Sequence, residues 1–478
     1  MSAQPTKFSP SGAHSSLLTA VLGNCQVSFA VLQWVCTRIW SALNSEYPKK
    51  ILKGSERFEN DFLHIACAQE CVDLKLFIFR IWRVWLMACL GALQLPVMAS
   101  SNLVVERAFY EDRTASLSFE QVRGKNFIPF KDVLNQGYSS SAFWVRIRVD
   151  GASGKIAIKI VPMYLDEIAL FVEGRPQPWQ IVGDRYPLAN NGLKALSYNF
   201  IVDHHIDSPH YWLRLKTTST NLMAIEAMPL EQLYESNIVE YILSGMLLGT
   251  FCIFSLTGAL YFMARREVIN GAFFIKQVLA LIFALFLLGY TRWLAPGILS
   301  PEAVDTLASY CFFIYTFSAV LFYVIFFREY GAQFWANLLL VMCLLSVVLA
   351  GLLFMAGYRR LGLNANMAAA GVISFLLVLI PIFGIRQQVL ENPVIKPSVL
   401  VGIQTANFLL AMLTSLPSLG LISGTKFTAY AVMLYAIVSS ILMLVIVRFR
   451  AIKQDQQRLT EIALQASRAE QDESTRNL

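Results

Sequence analysis

Residues 240–262 read EYILSGMLLGTFCIFSLTGALYF, and Glu240 is the only charged residue among them. An α-helix rises about 1.5 Å per residue, so a run of this length crosses the roughly 30 Å hydrocarbon core of a bilayer. Similar apolar runs recur at regular intervals after it. We predict spans near 238–263, 271–291, 304–327, 336–357, 365–386, 398–421 and 427–449. The stretch 237–449 is therefore predicted to form a seven-helix transmembrane bundle.

The composition of the whole chain agrees with a membrane protein. Of its 478 residues, 56% are hydrophobic and 15% are charged, whereas about 25% are charged in an average soluble protein. The net charge of +7 comes from basic residues that lie mostly at the ends of apolar runs. They form no basic cluster with interleaved aromatic residues, so we expect no nucleic-acid partner.

Residues 100–236 have the pattern of a separate, water-soluble β domain. The stretches AFWVRIRV (142–149), KIAIKIV (155–161) and YWLRLKT (211–217) alternate between apolar and polar positions. Alternation of this kind, with β-branched and aromatic residues, indicates half-buried strands. Turn-forming stretches separate them, which predicts an antiparallel sandwich or barrel.

Several aromatic and arginine side chains of this domain are candidates for ligand binding. Exposed aromatic rings can stack on sugars, and guanidinium groups bind carboxylates or phosphates. The candidates, on the polar phase of strands or in loops, are Trp144, Arg146, Trp179, Trp212 and Arg214. The alternative is that these side chains cover sheet edges or pack on the membrane domain.

The sequence predicts neither a metal, nor another cofactor, nor an enzyme. DHHIDSPH (203–210) holds three of the five histidines, but His204 and His205 are adjacent and would face opposite sides of a strand. The eight cysteines include no CxxC pair, which indicates neither a zinc site nor a disulfide framework. The chain carries no GxSxG, HExxH, Walker or kinase signature.

Residues 74–99 have the three parts of a secretory signal peptide. A basic start precedes an apolar run of 12 residues, then Pro96, then small residues at 97–99. The alternative is an uncleaved signal anchor. Residues 1–73 have no domain-like pattern. They are either an upstream extension or, at 16–40, an additional hydrophobic segment.

The orientation follows from the signal peptide and from charge. If residue 100 is outside, seven crossings place the C-terminus in the cytoplasm. Nine basic residues then lie on the inner side and four lie in the outer loops, as the positive-inside rule requires. Arg359 and Arg360, in an outer loop, are the exception. We therefore predict a bacterial inner-membrane protein whose β domain is periplasmic.

Polar residues inside the spans offer a second place for function. Gln404 and Asn407 lie in the sixth predicted span, and we expect them to form hydrogen bonds between helices, worth about 0.6 kcal/mol each. The alternative is an ion or substrate path. Glu240, Lys276 and Asp305 are expected near the ends of spans rather than at mid-membrane.

The order of parts resembles the bacterial 7TMR-DISM receptors, which are seven-transmembrane receptors with diverse intracellular signalling modules. GYSSSAFWVRIRV (137–149), YLDEIALFV (164–172) and YWLRLKTTS (211–219) resemble strands of the family's outer domain, and 240–262 resembles its first membrane helix. The likeness spans about 115–455. It implies a jelly-roll-like sandwich of the second DISM type that binds carbohydrate or another small ligand.

The charged tail, 450–478, is where this sequence departs from the family pattern. Ile452, Leu459, Ile462 and Ala466 are spaced as a coiled-coil seam. A helix this short needs a partner, so we expect a homodimer. The family's usual histidine kinase, diguanylate cyclase or phosphatase domain is not expected in this chain, and a separate cytoplasmic histidine kinase or diguanylate cyclase is the predicted partner. The alternatives are a solvated tail, a receptor that has lost its output domain, and a transporter or accessory membrane subunit.

Overall fold

The computed structural model describes residues 102–476 except 152–153, 188–192, 194, 206–208, 295–297, 387–394 and 426–427. The signal sequence predicted at 74–99 and the extension at 1–73 lie outside the described residues.

Ten strands among the described residues form a sandwich of two antiparallel sheets. They are β1 (Val104–Asp112), β2 (Ile128–Pro129), β3 (Val133–Asn135), β4 (Ala142–Val149), β5 (Gly154–Val161), β6 (Glu167–Val172), β7 (Gln180–Val182), β8 (Tyr198–His204), β9 (His210–Lys216) and β10 (Leu222–Pro229). One sheet has the order β2-β1-β4-β9-β6-β7 and the other β3-β10-β5-β8. The antiparallel sandwich predicted from alternation is confirmed.

The core of the sandwich lies between the apolar phases of the two sheets. Val145 and Ile147 of β4 face this core and are fully buried, as are Ile156 and Ile158 of β5. Each such side chain contributes about 1.5–3 kcal/mol when it is removed from water. The periodicity of two in the sequence therefore marks the inner face correctly.

A short helix, α1 (Phe119–Arg123), covers the opposite face of the six-stranded sheet. Phe119 stacks on Phe171 with ring centroids 5.1 Å apart and meets the edge of Trp212 at 5.2 Å. Trp144 lies 5.0 Å from Phe171. These rings form a small second core on what the sequence presents as the polar phase of β4 and β9.

Among the described residues that follow the sandwich, seven helices are long and apolar enough to cross a membrane. The helices in this region are α2 (Leu230–Ala264), α3 (Val268–Leu287), the short α4 (Tyr290–Leu294), α5 (Pro301–Glu329), α6 (Phe334–Met355), α7 (Arg359–Phe383), α8 (Pro397–Ser418) and α9 (Thr428–Arg476). The seven predicted spans are confirmed, and α4 is an addition between the second and third.

The sandwich passes into the bundle without a linker. Pro229 is the last residue of β10 and also the N-cap of α2, so the last strand runs directly into the first membrane helix. This helix begins eight residues before the span predicted at 238–263.

Helix α9 is continuous over 49 residues, from the seventh span into the tail. At about 1.5 Å per residue, the part beyond 449 extends the helix by roughly 40 Å. Leu459 and Ile462 are 60% and 61% exposed. The predicted C-terminal helix is confirmed, whereas its pairing into a coiled coil stays a prediction.

Candidate functional site

The sandwich rests on one end of the bundle, which we call the outer end. Thr220, in the turn between β9 and β10, donates to the carbonyl of Ser418 at the end of α8, over 2.7 Å. The Asn135 amide of β3 donates to the carbonyl of Ile422, also over 2.7 Å. These bonds fix the loops of the sandwich to the loop that joins α8 and α9.

A buried ion pair reinforces this contact. The Lys159 ammonium of β5 lies 2.8 Å from the Glu240 carboxylate of α2, and the two side chains are only 8% and 11% exposed. Lys159 also donates to the Ser236 hydroxyl over 3.0 Å. Because the pair is removed from water, the loss of one partner costs more free energy than it would in a surface pair.

An interdomain cavity of about 110 Å³ lies between the sandwich and the outer end. Loops of the sandwich supply Tyr138 and Tyr164, and the outer ends of α3 and α5 supply Phe283, Phe286 and Phe312. Burial raises the pKa of both tyrosine hydroxyls, which therefore stay protonated. The walls belong to both parts of the chain, so a molecule in the cavity would contact both.

One side of the cavity is charged and tightly paired. Asp166, beside the cavity, accepts hydrogen bonds from Thr217 over 2.7 Å and from Thr218 over 2.9 Å. Arg185 lies 2.6 Å from Asp166 and 3.8 Å from Asp305 of α5. This guanidinium therefore bridges a carboxylate of the sandwich and a carboxylate of the bundle.

Asp184 lines the cavity and is less well satisfied. The residue is 6% exposed and its Oδ1 atom has no hydrogen-bond partner. Burial, together with the nearby charges of Asp305 and Asp166, raises the pKa of its carboxyl well above the ordinary value. A buried carboxyl oxygen without a donor is costly, which makes this atom the place where a ligand would gain most.

Arg292 of α4 enters the sandwich from the bundle side. Its guanidinium donates to the carbonyls of Gly183 and Tyr186 over 2.8 and 2.6 Å, and to the Tyr198 hydroxyl over 3.2 Å. These acceptors are neutral, so the charge of Arg292 is not consumed by a direct ion pair with Asp184. The arginine lines the cavity while it holds the β7–β8 loop on the bundle.

Two of the predicted ligand-binding residues, Trp144 and Trp212, are not surface side chains. They are 1% and 5% exposed, because α1 and its Phe119 cover them. The expectation that they present exposed rings is wrong, and they pack beneath α1 rather than at a sheet edge or on the membrane domain. Alternation places them on the outer face of the sheet but does not show that a further layer lies over that face.

The other three candidates are at least partly exposed. Trp179 is 44% exposed, with the guanidinium of Arg175 4.5 Å from its ring centre. Arg146 lies over the ring of Phe127 at 5.1 Å. Arg214 donates to the Glu167 carboxylate over 2.9 Å. None of the five predicted residues lines the interdomain cavity, and their role in ligand binding stays a prediction.

Gln404 and Asn407 lie inside the bundle, as predicted, and are fully buried. Gln404 faces the Tyr323 hydroxyl of α5, and Asn407 faces Tyr435 of α9. Neither amide atom of Gln404 has a hydrogen-bond partner of ordinary geometry. They occupy helix interfaces, whereas their contribution to function stays a prediction.

The placement of Lys276 differs from the expectation. It lies eight residues into the 20-residue helix α3, and it is completely buried. Its ammonium donates to the Ser440 hydroxyl of α9 over 2.7 Å and lies 5.4 Å from the ring centre of Tyr315. The expectation of a position near a span end is wrong for Lys276, because α3 begins before the predicted boundary.

Comparison with known families identifies the sandwich. Residues 106–228 match the family model described as 7TMR-DISM extracellular 2, which covers 123 of the 478 residues. The sandwich is a 7TMR-DISM extracellular domain. No curated protein matches the chain. The DISM domain followed by seven candidate spans is consistent with a 7TMR-DISM receptor, so the predicted resemblance is confirmed.

This assignment supports a transmembrane receptor and a multi-pass membrane protein. Sequence reasoning nevertheless missed the interdomain cavity. Arg292 is one of the four basic residues that the sequence places in the outer loops, and Asp305 is expected only near a span end. Their position beside the outer ends of spans was the available signal, but nothing in the sequence connects them with Asp184, which lies more than 100 residues away.

Proposed function

We propose that this receptor binds a small ligand in the interdomain cavity and that binding changes how the DISM domain packs on the outer end of the bundle. The cavity supports this, because its walls come from both parts and because Asp184 lacks a donor there. A ligand shifts an equilibrium only by its difference in affinity between two states. The walls of this site belong to both the DISM domain and the bundle, so its affinity for a ligand would differ between two ways of packing them.

The proposed route to the other side of the membrane ends at a set of ion pairs that we call the far-end clasp. Arg450 of α9 pairs with Glu267, before α3, and with Glu329 of α5, the latter at 2.7 Å. Arg265, after α2, pairs with Asp455 of α9. The clasp joins α9 to the far ends of α2 and α5. Both helices extend from the cavity side of the bundle, so a change in the packing of α2 or α5 would reach the tail.

The location, the orientation and the output partner of the receptor are proposed from the sequence. We propose that the DISM domain is periplasmic, that the protein lies in a bacterial inner membrane, and that α9 emerges in the cytoplasm. There the seam through Ile452, Leu459, Ile462 and Ala466 would pair two copies and engage a separate histidine kinase or diguanylate cyclase. The exposure of Leu459 and Ile462 supports pairing, since no residue in the described part of the chain covers them. Carbohydrate stays the ligand that the family resemblance predicts.

A spectroscopic experiment tests the relay without knowledge of the ligand. Spin labels on cysteines that replace Arg328 and Gln456, in a chain without its other cysteines, report the distance between the ends of α5 and α9 in nanodiscs. Arg292→Met removes the guanidinium that holds the DISM domain on the bundle. We expect it to shift the distance distribution at the far end.

Two controls accompany this variant. Arg450→Met opens the far-end clasp directly and should shift the distribution, which establishes that the labels respond. Arg175→Met removes an exposed arginine of the DISM domain that does not line the cavity, and it should leave the distribution unchanged. A distribution that responds to Arg450→Met but not to Arg292→Met would contradict the proposed relay.

A further inference from the structure

We infer that the interdomain cavity takes a small apolar molecule that carries one protonated amine. The inference rests on the proposed function, because it names the chemical class of the ligand for the same site. Three properties of the cavity lead to it: the balance of charge, the nature of the walls and the volume.

The charged groups at the cavity are unbalanced toward the negative. Asp166, Asp184 and Asp305 act on one another electrostatically, together with the guanidinium groups of Arg185 and Arg292. Glu302 and Arg359 also act on Asp305, but they add one charge of each sign and leave the balance unchanged. Arg185 is engaged by Asp166 and Asp305. Among the described residues, Asp184 forms no ion pair within 4 Å. One carboxylate is therefore left without a cation of its own.

In the ionised form of Asp184 the unsatisfied atom is an acceptor, so its partner must be a donor. The Oδ1 atom of Asp184 is buried and has no hydrogen-bond partner. The hydrogen bonds of Arg292 go to neutral oxygens of the sandwich. An ammonium at this place would supply the missing donor and would favour the ionised form of the Asp184 carboxyl, and charge-assisted bonds are the stronger ones.

The walls suit a cation with an apolar body. Aromatic rings of Tyr138, Tyr164, Phe283, Phe286 and Phe312 line the cavity, and the faces of such rings attract cations. The remaining wall includes Val304, Ala308 and Leu363. A carboxylate ligand would meet the carboxyl groups of Asp184 and Asp305, and a polyhydroxylated sugar would leave hydroxyls against these apolar side chains.

The volume restricts the size of the ligand. The cavity measures about 110 Å³, and an engineered apolar cavity of roughly 150 Å³ holds one benzene molecule. About five non-hydrogen atoms are therefore accommodated without rearrangement. A branched four-carbon amine has this size.

The test compares three isosteres on the purified full-length protein in detergent. Isobutylamine is cationic at neutral pH, isobutanol is neutral, and isobutyrate is anionic. Each is titrated while the midpoint of thermal unfolding and the quenching of intrinsic fluorescence are recorded. We expect isobutylamine to raise the midpoint and to bind at least tenfold more tightly than either of the others.

Two variants locate the binding. Asp184→Asn keeps the shape and removes the charge, so it should weaken isobutylamine at least tenfold. Asp203→Asn changes an exposed aspartate of β8 that does not line the cavity, and should leave binding unchanged. Ala308→Leu fills the cavity and should abolish binding of all three, with a folded protein verified by its unfolding transition.

Each contrary result overturns the inference. Equal binding of isobutanol would mean that apolar contact alone fills the cavity, and tighter binding of isobutyrate would mean that Arg292 selects the ligand. Binding of isobutylamine that Asp184→Asn leaves intact, or no binding of any isostere, would equally reject it. The relay is judged separately, because its spin-label experiment uses no ligand.

Discussion

Lys159 and Glu240 are the residues whose interaction most directly joins the DISM domain to the bundle. Both are buried, and their charged atoms lie 2.8 Å apart. Removing one partner of such a pair costs about 3–5 kcal/mol, because the other charge stays buried and uncompensated. We expect Lys159→Met to lower the midpoint of thermal unfolding markedly. The double substitution Lys159→Met with Glu240→Met should recover most of the loss.

An exposed pair provides the control for that cycle. Arg148 and Glu106 are 3.0 Å apart, but their side chains are 40% and 60% exposed. Solvent screens such pairs, so Arg148→Met should cost less than about 1 kcal/mol. If the double variant at Lys159 and Glu240 were no more stable than Lys159→Met, the assigned coupling would be wrong.

The Asp184 carboxyl makes stability depend on pH. Burial, with Asp305 and Asp166 nearby, raises its pKa well above the ordinary value of 3.8. The folded state thus binds this proton more tightly than the unfolded state. The corresponding stability is present at low pH and is lost as the pH rises from about 3.8 through the raised pKa. In denaturant titrations across that pH window, Asp184→Asn should abolish the part of the decline in the free energy of unfolding that this carboxyl causes. Asp203→Asn should retain it.

The turn between β3 and β4 depends on a glycine where it meets the end of α8. Gly137 has a φ of +57°, and a Cβ there would lie 2.5 Å from the carbonyl oxygen of Leu419. Gly174, in the β6–β7 turn, has a φ of +81° and open space around it. Both Gly→Ala variants incur the cost of left-handed backbone, roughly 1–2 kcal/mol. Only Gly137→Ala should also weaken docking, seen as faster hydrogen exchange at Asn221, whose amides bond to Gly137.

The packing of α3 against α9 includes a charge in the middle of the bundle. Lys276 donates to Ser440, and no described carboxylate forms an ion pair with it. A buried ammonium with one neutral partner costs more than a methionine of similar size. We expect Lys276→Met to maintain or raise the unfolding midpoint. Ser440→Ala should lower the unfolding midpoint in the parent and leave it nearly unchanged in Lys276→Met. Equal losses in both backgrounds would mean that Lys276 and Ser440 are not energetically coupled.

At the scale of the whole molecule, the sequence predicts the features that leave a periodic pattern or an apolar run of characteristic length, which are the strands and the membrane spans. The alternation of β4 placed Val145 and Ile147 in the sandwich core correctly, since one buried face is enough to produce a period of two. The same alternation misplaced Trp144, because α1 covers the other face. Alternation shows which residues of a strand share a face, but it does not show whether another element packs on part of that face.

The cavity could not be predicted, since its residues come from separated segments. Asp184, Arg292 and Asp305 meet only after the sandwich docks on the outer end, and no local pattern records that docking. The direct passage of β10 into α2 at Pro229 was missed for a related reason. The apolar run begins later than the helix does, because the first turns of α2 lie against the sandwich and carry polar residues.

Because the DISM domain has its own two-sheet core, we expect residues 100–229 to fold when expressed alone. The loss of stability caused by Lys159→Met should then differ between the full chain and the isolated domain. In the full chain this substitution leaves Glu240 buried without its cation, whereas in the isolated domain Glu240 is absent and Lys159 faces water. We expect a change within about 0.5 kcal/mol in the isolated domain, as for other surface sites, against several kcal/mol in the full chain. Chemical denaturation of both forms measures the difference, and an equal loss in both would place the role of Lys159 inside the sandwich rather than at its junction with the membrane helices.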